Sequence, residues 1–390
     1  MKANSGGQID PESVIGRSRV IEHIWNTLEQ QSIVITAERR IGKTTIIKKL
    51  KQEPASNWVP VFQDLEGCHT ASEFATTVYK EVHQFLSQKG RTTRRVKEWL
   101  SALGGTEIGG LLKLPEKAEH PWKVILTRSI EDLVHENDVN SSRLLFLWDE
   151  VPFMLANIRD REGEQAAMEV LDILRALRQT HPTFRMIITG SIGLHHVLTS
   201  LKDKNYANAP VNDMARIEIE PLTQRDAEEL AVKLIEGESL VSSDKDVAAV
   251  AIANEADRFP FYIHHIVRTL RVKDLPVDPD TIARVVTTQL VDSGDPWELR
   301  HYRDRIRTYY GTGSKAAIAI LDELAANREK ASVTELLAML KASSQFDDRE
   351  QLLQLLYLMD RDHYLQRYGD GCYGFRFPLI RRWWKIDRGL

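Results

Sequence analysis

Cysteine is nearly missing from this chain: 390 residues contain two, Cys68 and Cys372, far apart and outside any metal-ligand spacing. That excludes a disulfide framework and a structural zinc site, and it suits a reducing compartment. Long apolar runs are missing too. Nowhere do 18 apolar residues follow one another, and the start, Met1-Lys2-Ala3-Asn4-Ser5-Gly6-Gly7, has no apolar h-region. We therefore expect no membrane span and no export signal, and read the chain as cytoplasmic. An excess of one charge is also lacking. A formal net charge of -4 and a pI near 6.3 argue against a general polyanion binder and confine any nucleic-acid contact to a local face. Tandem repeats and low-complexity tracts are absent. What is present is ample apolar material, 42% of the chain, in a length that calls for two or three domains of roughly 100 to 200 residues.

Strands and helices alternate through the first half. Val20 to Leu28 has helical spacing, Ser32 to Thr36 is a β-branched run, and Ile46 to Leu50 returns to helical spacing. Trp58 to Phe62 reads as a strand ending at Gln63-Asp64, and Ser72 to Ser87 as a helix with Ser72 as its N-cap. Residues 89–121, with glycines, a basic cluster and Pro115, predict a partly irregular insertion. A helix from Trp122 to Glu136 leads to Leu144-Leu145-Phe146-Leu147-Trp148, whose continuous apolarity fits a central strand covered on both faces. A helix over Glu164 to Gln179, the strand Arg185 to Thr189, a polar loop and the strand Ala215 to Glu220 complete an α/β core over residues 1–220. Its expected form is a parallel sheet with helices on both faces.

The second half reads differently. Helical periodicity at 223–236, 244–257, 260–272 and 278–290 predicts a helical lid over 221–292. Ser293-Gly294-Asp295-Pro296 and Gly311-Thr312-Gly313-Ser314 bracket a linker with one helical stretch, 293–313. The remainder, 314–390, predicts helices at Lys315 to Ala326, Ser332 to Lys341 and Asp348 to Asp360, then a hairpin around Gly369-Asp370-Gly371. Three helices and a hairpin describe a winged helix-turn-helix.

Chemistry concentrates at Ala37-Glu38-Arg39-Arg40-Ile41-Gly42-Lys43-Thr44-Thr45, between a strand and a helix. Binding a polyphosphate requires backbone N–H groups converging on an anion, a helix N-terminus behind them, a lysine and a hydroxyl for magnesium. Arg40, Ile41 and Gly42 lie in the phosphate loop. Gly42 lets the backbone approach, Lys43 reaches the β and γ groups, Thr44 ligates magnesium and Thr45 hydrogen-bonds the α-phosphate. The first loop position is Ala37 where the G-x-x-x-x-G-K-T pattern has glycine. Either the backbone avoids positive φ there or alanine is strained. Asp149-Glu150 ends the most apolar strand, 106 positions after Lys43. Asp149 suits a magnesium ligand acting through the metal's water shell, and Glu150 a group that orients or deprotonates the attacking water. These are Walker A and Walker B signatures of ATP and ADP binding with Mg2+ and of hydrolysis. Thr189-Gly190-Ser191 ends a strand expected to lie between the two, where Ser191, ahead of Thr189, would sense the γ-phosphate; the alternative is ordinary turn chemistry.

Ile15-Gly16-Arg17, Arg39 to Thr44, Trp148-Asp149-Glu150-Val151-Pro152, Gly190-Ser191 and Phe259-Pro260-Phe261-Tyr262 together resemble the AAA+-like ATPases of the STAND class. Within that class the chain looks like the archaeal and prokaryotic ATPase family with a winged-helix tail. The resemblance spans nearly the whole chain. It implies that Ile15 and Gly16 line an adenine pocket and that Pro260 opens a lid helix touching the nucleotide, although Arg258 stands where the family usually has glycine. It also implies a switch that exchanges ADP for ATP and assembles into a nucleotide-dependent oligomer with an arginine supplied in trans, for which Arg216 and Arg39 are candidates.

Partner chemistry points to protein first. Around the third C-terminal helix, Asp347, Asp348, Glu350, Asp360 and Asp362 outnumber Arg349 and Arg361, a local charge of -3 that repels a duplex. DNA contact is left to Lys89, Arg91, Arg94, Arg95 and Lys97 of the insertion, or to the hairpin and tail with Arg367, Arg376, Arg381, Arg382, Lys385 and Arg388 beside Trp383-Trp384. Three functions compete: a switch controlling a protein partner, in a defence or mobile-element setting; a DNA-binding loader or remodeller; and a low-turnover nucleotide-dependent scaffold.

Overall fold

Five short β-branched or apolar runs pair in parallel to form one sheet, in the order Trp58–Asp64, Arg143–Asp149, Arg185–Ile188, Ile33–Ala37 and Ala215–Ile219. This computed structural model describes residues 1–4, 6, 13–88, 93–102, 106–108, 111–113, 121–140, 143–190, 193–202, 206–344 and 346–390. Two units emerge. One comprises Arg17–Ala37 and Lys43–Ile219; the other comprises Met1–Gly16, Glu38–Gly42 and Glu220–Leu390.

The first unit runs α1 (Ser18–Leu28), β1 (Ile33–Ala37), α2 (Lys43–Gln52), β2 (Trp58–Asp64), α3 (Ala71–Gln88), α4 (Arg94–Ala102), β3 (Thr106–Ile108), β4 (Leu111–Lys113) and α5 (Pro121–Asn140). It continues with β5 (Arg143–Asp149), α6 (Val151–Glu162), α7 (Glu164–Thr180), β6 (Arg185–Ile188), α8 (Leu194–Lys202) and β7 (Ala215–Ile219). Strand β5 is buried at every position from Leu144 to Asp149, so both faces of the sheet are covered there, as its unbroken apolarity predicts. Phe146 and Trp148 meet Phe74 and Phe184 in edge-on aromatic contacts that anchor the core.

Three helices of this unit depart from the sequence reading. Helix α4 occupies part of the segment expected to be irregular; β3 and β4 pair beside it as a short antiparallel ribbon. Helix α6 follows Glu150 directly because Pro152 sits in its first turn, where a missing N–H costs nothing, while Met154, Leu155 and Ile158 bury one face. Helix α8 replaces the expected polar loop and buries Leu194, Val197 and Leu201. Helix α3 is capped by Thr70 rather than Ser72: Thr70 Oγ1 accepts the Glu73 N–H at 3.1 Å, and the Glu73 carboxylate accepts the Thr70 N–H at 3.2 Å.

In the second unit, α9 (Gln224–Gly237), α10 (Lys245–Glu255), α11 (Pro260–Val272) and α12 (Pro279–Val291) precede α13 (Arg300–Tyr309). There follow α14 (Ser314–Ala326), β8 (Lys330–Ala331), α15 (Val333–Ser344), α16 (Arg349–Arg361), β9 (Leu365–Arg367), β10 (Tyr373–Phe375) and α17 (Pro378–Arg388). The last strands pair antiparallel in the order β8-β10-β9. Trp383 and Trp384 are buried, and the Trp384 indole N–H donates to Asp322 Oδ1 at 2.8 Å, so the Trp pair anchors α17 in the core.

Helix α17 is held from afar. Its Leu379 N–H donates to Asp257 Oδ2 at 2.6 Å across 122 residues, an N-terminal cap supplied by the turn between α10 and α11. Burial pushes the Asp257 carboxyl up to about 6, against the pull of that N–H and of Arg258 and Arg382. Because its folded-state pKa lies above the ordinary 3.8, the group favours folding when protonated; its contribution falls as pH rises from about 4 through 6. Asp257→Asn keeps the acceptor and removes the charge. The variant should match the parent near pH 4 and exceed its stability by about 2 to 3 kcal/mol near pH 7. Urea unfolding at both pH values measures this, and a stability difference independent of pH contradicts the assignment.

Candidate functional site

Two strand ends and one helix start converge in the first unit. Helix α2 opens at Lys43, and Thr44 in its first turn donates its hydroxyl to Asp149 Oδ2 at 3.3 Å. Asp149 ends β5 and is 7% exposed. Burial and the neighbouring Glu150 charge push its carboxyl above the usual aspartate range, opposed by the Glu150 N–H, Lys43 and the Thr44 hydroxyl. A buried carboxylate whose own surroundings disfavour its charge is a natural cation ligand, since a divalent ion reverses that balance. Lys43 Nζ donates to two main-chain carbonyls, Ala37 O at 3.1 Å and Gly190 O at 2.9 Å. The ammonium is thus fixed beside the strand ends.

Glu150 takes a left-handed backbone (φ 57°, ψ 28°), which an L-residue adopts at a cost of about 1 to 2 kcal/mol. Three contacts brace the turn. The Glu150 N–H donates to Asp149 Oδ1 at 3.1 Å, the Val151 N–H to Thr189 O at 3.2 Å, and the Thr189 N–H to Trp148 O at 3.0 Å. Strand β6 lies between β5 and β1, as expected, so Thr189 and Gly190 stand between the lysine and the acidic pair. Thr189 is 1% exposed and its Oγ1 has no hydrogen-bond partner among the described residues. Ser191, the favoured sensor from sequence, lies outside the described residues.

The unusual Ala37 is explained by its backbone. It ends β1 in extended conformation, pairing with Ile219, and positive φ falls instead on Arg40 (69°) and Gly42 (100°). No glycine is needed at the first position, and the strain sits three residues later on a non-glycine. Thr45 lies in α2 behind Lys43 and Thr44.

The other expected contacts fall in the second unit. Gly16 has φ 71°, and a Cβ there would stand 2.6 Å from Asp226 Cβ in the first turn of α9. Ile15 adjoins it, partly buried. Pro260 occupies the first turn of α11. Arg258, where the resembled family has glycine, adopts φ 62°, the conformation glycine would take freely. Arg40 lies over the Phe261 ring at 4.3 Å, and both Arg39 and Arg40 pair with Glu298. Glu38 is fully buried; Arg305 lies 3.4 Å from its Oε1, and His301 Nε2 is 3.8 Å away. Burial alone would raise the Glu38 carboxyl, but Arg305 and His301 hold it well below the carboxylate range. Neither Glu38 nor Glu298 was found from sequence: their partners lie more than 250 positions away. Of the arginine-finger candidates, Arg216 is exposed on edge strand β7, while Arg39 is paired as described.

No family model matches the sequence, and the curated proteins include no match. Solved structures do match. A Walker-type ATPase of Pyrococcus abyssi aligns over 99% of this chain and 100% of its own, at 15% identity and TM-score 0.67. The ORC2 protein of Aeropyrum pernix, in ADPNP-ADP complexes, aligns over 96% of this chain and 93% of its own, at 11% identity and TM-score 0.52. The fold is that of P-loop ATPases of the AAA+ class.

Gly190 tests the local packing. An added Cβ would lie 2.6 Å from Pro152 Cδ, a ring atom that cannot swing aside. Gly190→Ala should push apart the β6 end and the Glu150 turn and destabilise the protein by about 1 to 3 kcal/mol. Denaturant unfolding reads this out, and an unchanged midpoint counts against so tight a packing.

Proposed function

We propose that the chain binds ATP and ADP with Mg2+ and hydrolyses ATP as a molecular switch that controls a protein partner. The observation that carries this reading is the approach of Thr44 to Asp149 at 3.3 Å, two magnesium-type ligands from different elements meeting beside Lys43. Thr44 and Asp149 would hold the magnesium, which when bound neutralises phosphate charge. Lys43 would exchange one of its carbonyls for the β- and γ-phosphate oxygens. Glu150, turned by its left-handed backbone, would orient a water for attack on the γ-phosphorus and accept its proton as the bond to the β-phosphate oxygen breaks. Thr189 Oγ1 or Ser191 would contact the γ-phosphate, Arg40, Ile41, Gly42 and Thr45 would cradle the phosphates, and Ile15, Gly16 and Pro260 would hold the nucleoside. The two aligned structures support the reading by fold, and one of them is described as a Walker-type ATPase.

The switch role follows the STAND-like pattern, with α9–α12 as lid and the three-stranded C-terminal unit as a winged helix. A protein partner is favoured over DNA because the tail's cations are engaged. Arg381 Nε donates to Leu324 O at 3.0 Å, Arg382 pairs with Glu255, and Arg388 pairs with Asp322. In the insertion, Arg94 pairs with Glu98 and Arg95 with Asp132, while Lys89 and Arg91 lie outside the described residues. A nucleotide-dependent oligomer, a cytoplasmic location, and a defence or mobile-element setting belong to the same proposal. The second reading is a DNA-bound loader, which the exposed Arg367 of β9 keeps open. A low-turnover scaffold is the third.

Phosphate release separates them. Glu150→Gln should retain Mg-ATP binding and lose about 10²- to 10⁴-fold in turnover, whereas Lys43→Ala should lose binding. Strong stimulation by duplex DNA would overturn the partner-only switch. Turnover indifferent to Glu150→Gln would favour the scaffold.

A further inference from the structure

We infer that Glu298 is a positioning residue of the phosphate loop: its carboxylate stands in for nucleotide phosphate on Arg39 and Arg40, and triphosphate binding displaces it. The inference rests on the nucleotide reading above and concerns how that site is regulated.

Two kinds of contact hold loop residues 38–40 within the second unit. One is fixed. Glu38 is 1% exposed, its Oε1 accepts the Arg39 N–H at 2.7 Å, and Arg305 of α13 lies against it. Replacing one member of such a buried pair strands the other, so this contact anchors the loop. The other is exchangeable. The side chains of Glu298, Arg39 and Arg40 are 48%, 40% and 25% exposed, and pairs that wet contribute little net stability. Arg40 nonetheless has a defined pose, stacked on Phe261 with left-handed backbone and a buried Nε that has no partner among the described residues. A guanidinium held in this way presents its fork equally well to a carboxylate or to a phosphate.

Glu298 is itself presented by a rigid turn. Its φ is 53°, its N–H donates to Asp295 O at 2.8 Å, and the Asp295 carboxylate caps α13 through the N–H groups of Leu299 and Arg300. The preceding Trp297 is wholly buried, 4.7 Å from the Tyr262 ring. Helix α13 then reaches the C-terminal elements through Arg303, 2.6 Å from Asp387. An anion that takes Arg39 and Arg40 from Glu298 therefore releases the loop from the turn that starts α13. By linkage, anything that weakens the Glu298 pairing raises affinity for the anion.

Glu298→Gln in the full chain removes the competing charge at constant size, and circular dichroism checks that the fold is kept. With ribose-labelled fluorescent ATP and ADP analogues and MgCl2, the variant should bind both more tightly. The gain for ATP should be about three- to tenfold, larger than for ADP, and should shrink as potassium chloride rises. A purely structural role predicts weaker binding and no such salt dependence. Binding by the parent with equal or weaker binding by the variant overturns the inference alone; binding by neither overturns the nucleotide reading as well. A second measurement needs no change at Glu298. Unlabelled Mg-ATP should shift the tryptophan emission of the parent more than that of Trp297→Phe. A parent spectrum unmoved by a nucleotide that binds would also refute displacement.

Discussion

A carboxylate buried at the end of a fully covered strand is the constraint on which the candidate site depends. Strand β5 offers no water to Asp149, and the groups bonded to its oxygens, the Thr44 hydroxyl and the Glu150 N–H, are neutral. The nearest cation is Lys43, whose ammonium is shared between two carbonyls. Burial therefore outweighs pairing, and the pKa of the carboxyl rises. A site of this kind gains most from a ligand that brings positive charge with it, which is the chemistry of a divalent ion held by a polyphosphate. The parallel order β5-β6-β1 then becomes a requirement, because only neighbouring carboxyl ends bring the lysine, the strand-end carbonyl of Gly190 and the acidic pair within hydrogen-bond reach.

Strain at Glu150 belongs to the same arrangement. A relaxed backbone would continue the strand and carry the side chain along it. The left-handed turn instead starts α6 at once, with Pro152 as a residue that has no N–H to leave unsatisfied. Gly190 is required opposite, since Pro152 fills the space a side chain would need. Strand end, strained turn and glycine are one packing solution.

Much of this was legible because it is local. Continuous apolarity marked β5 and its burial, β-branched runs marked β1 and β6, and the spacing from Lys43 to Asp149 brought the cation and acids together. The failures have equally local causes. Helix α6 was hidden because Pro152 reads as a breaker unless it is recognised as a first-turn residue, and α8 because its apolar positions sit among histidines and serines. Of the two readings left open for Ala37, the backbone avoids positive φ there and places it at Arg40 and Gly42. Glu38, Glu298 and Asp257 carry no motif. Their roles come from partners between 122 and 267 residues away, and pairing at that range is decided by tertiary packing alone.

The loop itself shows why both kinds of information are needed. Residues 38–42 group with Met1–Gly16 and Glu220–Leu390, while Ala37 before them and Lys43 after them belong to the sheet unit. Gly42, at φ 100° with open space where a Cβ would be, is the residue at which the chain passes back to the sheet unit. Glu38 is buried beyond exchange, and the arginines that follow are held by a carboxylate half open to water. A buried, fixed residue is thus followed by exchangeable ones. If the whole loop were fixed as Glu38 is, an incoming phosphate would meet a finished ion-pair network and shift nothing. If it were wholly free, the arginines would have no internal anion to release, and α13 would receive no signal. The division between the two is what the inferred displacement of Glu298 requires.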